Sequence, residues 1–211
     1  MLVPFRGIMM IITNIEAVTK AKSRVYIDEQ LAFVLYKGEL SRYKIKKDEE
    51  ISEEAYREII DEVLTKRAKI RCIYLLKSMD RTEYQLRTKL KQGGYPEEAV
   101  NTAIEYVKNL HYIDDNRYAQ YYIDGRTGSK SKQQITQDLL RRGISKELIQ
   151  SIYEQKEPED ETEQIRKWIE KKRVDLETAD PKEINRLYGF LMRKGFQASD
   201  ISKVIRGREY D

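Results

Sequence analysis

"LLRRGISKEL", residues 139–148, reads as the end of one helix and the start of the next. Arg141 and Arg142 stand where a last helical turn favours cations, against the negative end of the helix dipole. Gly143 supplies the left-handed residue that ends many helices, and Ser145 is a suitable N-cap for the second helix. The same phrase recurs upstream as "KLKQGGYPEEAV", residues 89–100, and downstream as "FLMRKGFQASDI", residues 190–201.

Anchored on Gly94, Gly143 and Gly195, the three stretches keep five apolar offsets in register. Eight residues before the glycine stand Leu86, Ile135 and Leu187, and four before it Leu90, Leu139 and Leu191. One residue after stand Tyr95, Ile144 and Phe196; six after, Val100, Ile149 and Ile201; ten after, Ile104, Tyr153 and Ile205. The first pair is an i, i+4 stripe on a helix. The glycine stops that helix and the next apolar residue covers the junction, as in a Schellman motif. The last pair is the stripe of the succeeding helix. A further helix precedes each copy, near 68–79, 115–125 and 160–173. The glycines are 49 and 52 residues apart, so a three-helix unit is written three times.

A unit of this size buries little core alone, and its neighbours must lean on it. The expected fold is mainly α: three tandem three-helix repeats in an elongated array, preceded by a small N-terminal antiparallel β region. The β region takes residues 1–50, a connecting helix 51–66, and the repeats 67–111, 112–156 and 157–211. "IITNIEAVT" (11–19), "SRVYIDEQ" (23–30) and "AFVLYKGELSRYKI" (32–45) carry the β-branched and aromatic residues of strands. At Ser52 the period lengthens to that of a helix, with Glu53 and Glu54 in its first turn. Ala55, Ile59 and Val63, then Ile70, Ile73 and Leu76, fall near one stripe of a helix that breaks around 66–68. "EQKEPEDETEQ" (154–164), with Pro158, reads as an exposed, flexing linker.

Lys+Arg is 40 and Asp+Glu 36 in 211 residues, with a mean hydropathy of −0.73. The balance is local: residues 1–66 hold 11 basic and 12 acidic side chains, 67–147 hold 16 and 10, and 148–211 hold 13 and 14. All the excess positive charge is in the middle third, which suits an anionic partner, nucleic acid or an acidic protein surface. Cys72 is the only cysteine, so no intramolecular disulfide can form, and a reducing compartment is expected. "GIMMIIT" (7–13) is too short to span a membrane. We expect a cytoplasmic protein whose functional start is Met1, Met9 or Met10.

Catalytic sets are missing. One Cys and one His, His111, cannot make a zinc site, and no nucleophile–His–acid set can be completed without that His. His111 is expected at a helix end. "GRTGSKSK" (125–132) fails as a phosphate loop: two residues separate Gly125 from Gly128 where four are needed, and Ser129 precedes Lys130. It reads instead as a flexible basic loop with unpaired Lys130 and Lys132. Asp114 and Asp115 are expected to cap a helix, Trp168 and Cys72 to sit in core, and Tyr112 and Tyr118 to pack the second repeat.

Four stretches in order resemble the RecX family of regulators of the RecA recombinase: "CIYLLKSMDRTEYQLRTKL" (72–90), "YIDDNRYAQYYI" (112–123), "LLRRGIS" (139–145) and "FLMRKGF" (190–196). The second is the most specific, matching a Tyr-x-Asp-Asp-x-Arg-Phe/Tyr-Ala element. The resemblance implies tandem three-helix repeats and a protein that is not an enzyme, has no cofactor and carries no metal. It implies binding to the RecA filament on single-stranded DNA and modulation, most simply inhibition, of recombinase, ATPase and co-protease activity in homologous recombination, DNA repair and the SOS response. A monomer is expected. Contact with single- or double-stranded DNA itself is left open. A sequence-independent DNA-binding or transcription protein of helix-turn-helix-like units is the alternative. The partner-binding candidates are the basic residues Arg81, Arg87, Lys89, Lys91, Arg126, Lys130, Lys132, Arg141 and Arg142.

Overall fold

The computed structural model describes residues 10–156 and 161–207. The start-codon alternatives before Met10 and the centre of the acidic stretch around Pro158 lie outside them. The chain divides into two compact units, residues 1–114 and 115–211.

The first unit opens with β1 (Met10–Ala17), β2 (Lys22–Ile27) and β3 (Gln30–Tyr36), followed by α1 (Lys37–Arg42) and the short β4 (Glu50–Ile51). The sheet runs β3-β2-β1-β4, each neighbouring pair antiparallel. Alternation puts Val25, Ile27, Phe33 and Leu35 on one face, packed with Ile45, Ile59, Ile60 and Leu64. The expected third extended run stops early, because residues 37–42 are helical. The cause is local: the Tyr36 N–H donates to the Glu39 carboxylate at 2.7 Å, satisfying a donor at the helix start.

From Glu53 to Ser78 the backbone is helical without a break, but in three parts: α2 (Glu53–Glu58), a π-helical stretch (Ile59–Thr65) and α3 (Lys66–Ser78). The wider turn takes in about one extra residue and so rotates the buried stripe by roughly 100°. The core therefore steps Ile59, Leu64, Ala68, Cys72, Leu75. Ile70, expected inside, is 68 % exposed, and Ile73 and Leu76 are only partly covered.

The first repeat is completed by α4 (Glu83–Gln92) and α5 (Glu97–Asn109). The second unit holds α6 (Asp115–Asp124), α7 (Lys132–Arg141) and α8 (Lys146–Glu154), then α9 (Thr162–Lys172), α10 (Pro181–Arg193) and α11 (Ala198–Arg206). The copied phrase folds three times alike. Gly94, Gly143 and Gly195 have φ of +77°, +81° and +85°. In each copy the next N–H, of Tyr95, Ile144 or Phe196, donates to the carbonyl five residues back, of Leu90, Leu139 or Leu191, at 3.1–3.3 Å. That bond is the outer bond of a Schellman stop. The second helices are capped by Thr82, Ser131 and Asp180, whose side chains accept from the backbone three residues on. The third copy's helix is nearly one turn longer, 13 residues against 10. Each repeat has its own apolar cluster.

The far end of the acidic stretch is not an exposed linker. Glu161, Thr162 and Gln164 are buried, and the Glu161 carboxylate accepts from the Lys132 N–H at 2.5 Å, at the start of α7. A carboxylate is favourable there because a helix N-terminus carries partial positive charge.

Candidate functional site

In the second unit five of the basic candidates gather on one repeat. Asp138, on the face of α7 that borders the core, is nearly covered. Its carboxylate accepts from Lys130 Nζ at 2.5 Å and from the Tyr122 hydroxyl at 2.9 Å, and pairs with Arg141. Arg142 Nη1 donates to the Asp138 carbonyl at 2.8 Å, and its guanidinium lies 4.5 Å from the centre of the Tyr122 ring. Arg126 lies over the same ring at 5.7 Å. Tyr122 is itself stacked on Tyr118, which packs on the repeat core. Lys132 is set slightly apart, over the Tyr153 ring at 4.4 Å.

The arrangement places four cations about one carboxylate and one ring. The hydrogen bond from Lys130, with those from Tyr122 and Arg141, outweighs burial and holds the Asp138 carboxyl far below the usual carboxylate range. Asp138 therefore stays charged and fixes Lys130, raising its pKa in turn. The Arg141 side chain is 69 % exposed although it pairs with Asp138. Lys130 is thus not the unpaired loop lysine that the sequence suggests: it stands beside Ser131, the N-cap of α7, and its side chain reaches Asp138.

The four candidates of the first unit do not form one patch. Arg81 Nε donates to the Leu75 carbonyl at 3.4 Å, closing the end of α3. Arg87 bonds Glu83 at 2.7 Å and Asn101 at 2.6 Å, and Lys91 pairs with Glu97 at 2.7 Å. Burial works against the Glu83 charge, but Arg87 and Lys108 overcome it and lower its pKa. The contacts with Asn101 and Glu97 tie α4 to α5, while that with Glu83 is one turn back on α4 itself. Lys89 alone faces elsewhere, into a groove that also holds Lys22, Arg67 and Arg71. Sequence reasoning misses those three and Tyr74. Arg67, Arg71 and Tyr74 are spaced i, i+4, i+7 on α3, a signal of one helix face, but Ile70 between them reads as core.

His111 ends α5 in the left-handed region, φ +56°. The turn it makes sends Ile113 into the core and leaves Tyr112, expected to pack, 53 % exposed. Trp168 packs against Phe190 on the third cluster, and Cys72 is in the first repeat's core. Among the described residues no three His, Cys, Asp or Glu side chains could hold a metal ion, and no helix is long and apolar enough to cross a membrane.

Family models for the first, second and third three-helix domains of RecX match residues 68–106, 114–151 and 159–205. The chain is similar to the regulatory protein RecX of Caldanaerobacter subterraneus subsp. tengcongensis, 32 % identical over 199 residues, covering 93 % of this chain and 98 % of that protein. It is 30 % identical over 200 residues to the regulatory protein RecX of Clostridium perfringens strain 13, covering 92 % and 94 %. A crystal structure of a regulatory protein RecX superposes with a TM-score of 0.60 at 25 % identity, over 94 % of this chain and 99 % of that one. The crystal structure of RecX from Lactobacillus salivarius, at a TM-score of 0.59 and 18 % identity, covers 70 % of this chain and 98 % of its own, and shares the fold.

Proposed function

The chain belongs to the RecX family, and on that premise we propose that it is a regulator that binds the RecA filament on single-stranded DNA and restrains it. The observation that carries the reading is the second repeat: four cations, held by Asp138 and Tyr122 rather than waving in solvent, form a pre-organised anionic-partner surface. Side chains already ordered lose less entropy on binding. Three repeats with separate cores offer surface rather than an enclosed pocket, which suits a filament ligand. We place the action in the cytoplasm, in recombination, repair and the SOS response, with a monomer as the active form. Arg126, Lys130, Lys132, Arg141 and Arg142 are the principal contacts; Arg81, Arg87 and Lys91 serve the fold first.

The test is fluorescence anisotropy of the labelled chain against RecA from the same organism. Filament preformed on oligo(dT) with a non-hydrolysable ATP analogue should bind far more tightly than oligo(dT) alone. Equal affinity for both would favour a plain DNA-binding protein, whose binding would fall steeply with salt and need no recombinase.

A further inference from the structure

We propose that the groove between the sheet and the first repeat binds single-stranded nucleic acid, with Lys22, Arg67, Arg71 and Lys89 meeting its phosphates and Tyr74 stacking on a base. The groove, of about 600 Å³, is bounded by β2, the end of β3, α3 and the end of α4. Its walls are fixed to each other. The Val34 N–H of β3 donates to the Gly94 carbonyl at 3.2 Å, and a Cβ on Gly94 would fall on the Val34 side chain.

The π-helical stretch decides what faces this groove. By shifting the buried stripe to Ala68, Cys72 and Leu75, it turns Ile70, Arg71 and Tyr74 outward and sets Arg67, half-buried against Glu39 and the Val34 carbonyl, in the groove wall. Such stretches are frequent at functional sites. Tyr74 is 65 % exposed, beside the still more exposed Ile70. A ring and an aliphatic side chain held together in water await a partner.

Charge sets the partner's sign. Of the four cations only Arg67 has a carboxylate, that of Glu39; among the described residues Lys22, Arg71 and Lys89 pair with none. The other face of the same repeat is different, with Arg87, Lys91 and Lys108 each on a glutamate. Lys22 and Arg67 lie over the Tyr36 ring at 4.9 and 4.7 Å, and Arg71 over Tyr74 at 5.5 Å. The positive charge is therefore mounted on aromatic rings, the combination with which proteins hold single strands. An acidic peptide would answer the charge but not the exposed ring. A duplex hides its base faces. A single strand answers both.

The proposal does not depend on the filament reading, and its test contains no recombinase. Fluorescein-labelled oligo(dT) is titrated with the full chain at several salt concentrations. Binding should weaken with salt at a logarithmic slope of about −2 to −3, for three to four phosphates on a single strand. Tyr74→Ala should weaken binding about tenfold with the slope unchanged, and Tyr74→Phe should restore it. Arg71→Ala should reduce the slope by about 0.7. Both positions are exposed, and circular dichroism melts verify folding. Unchanged affinity in both alanine variants, equal binding of a duplex of the same length, or displacement by polyglutamate as readily as by oligo(dT) would each overturn the proposal, the last by making the groove a site for acidic protein.

Discussion

Ser131 joins two repeats: its hydroxyl donates to the Lys194 carbonyl at 2.8 Å while accepting from the Gln134 N–H of its own helix at 3.3 Å. The residue after Lys194 is the glycine that ends α10, and a Cβ there would stand 2.8 Å from Ser131 Oγ. The turn that stops one helix is thus also the seat on which the second and third repeats meet. Gly94 does the same against Val34 of the sheet.

Gly195→Ala should therefore cost more than backbone strain. A left-handed non-glycine residue costs about 1–3 kcal/mol, and the added methyl must also displace Ser131. Gly128, with φ +80° and nothing near its Cβ position, isolates the strain. Urea unfolding should show Gly195→Ala below Gly128→Ala, and both below the parent. Equal losses would mean that the glycine serves the turn alone.

Asp138→Asn removes the charge at the centre of the second-unit cluster. Hydrogen bonds to charged groups contribute about 1.5–3 kcal/mol, so the variant should melt several degrees lower at neutral pH. The pH dependence has a definite sign. The folded carboxyl is held below its unfolded value, so its contribution is complete above about pH 4–5 and fades as pH falls further. The stability gap between parent and variant should be constant from pH 8 to 6 and narrower at pH 3. A gap as wide at pH 3 as at pH 7 would contradict the role given to Lys130, Tyr122 and Arg141.

Cys72 offers a probe of the first repeat. Burial pushes its thiol up to about 11, and no part of the side chain reaches water. A thiol reagent at pH 8 should leave the native chain unmodified over minutes and react at once in denaturant, since thiolate fraction and access both limit attack. As the only cysteine, it reports opening of the first repeat's core, in which it packs with residues of α4 and α5. Rapid native labelling would show that this core opens readily.

Arg141→Glu with Arg142→Glu should weaken filament binding about tenfold or more, or 1.4 kcal/mol, compared at a temperature where circular dichroism shows the variant folded, since both arginines also bond Asp138. Arg87→Glu is the contrast: it breaks ties to Glu83 and Asn101 and should lower the melting temperature first. Unchanged filament affinity in the double variant would remove the pair from the binding surface.

The repeats are legible in the sequence because each stop uses one residue with a conformational requirement and apolar offsets at fixed spacing. Leu90, Leu139 and Leu191 are core residues on that pattern alone, and all three are fully buried. The phase of α3 is not legible. Ile59, Ile60, Val63 and Leu64 are all apolar, so an i+5 step looks like an i+4 step, and only packing chooses between them. Lys37–Arg42 is hidden for a similar reason, its start depending on one carboxylate turning back to the Tyr36 N–H. Of the five second-unit candidates, Arg141 and Arg142 border the copied turn at Gly143, and Arg126, Lys130 and Lys132 lie in the glycine-containing stretch 125–132. The groove residues come from β2, α3 and α4, a juxtaposition made by tertiary structure alone.

The most direct test of the central claim is ATP hydrolysis by RecA from the same organism on single-stranded DNA, with this protein titrated in. Loss of hydrolysis at amounts well below one chain per recombinase protomer is the expected result for a protein that binds along or at the end of the filament and restrains it. Hydrolysis unchanged at stoichiometric amounts, with the protein folded and the filament formed, would contradict it.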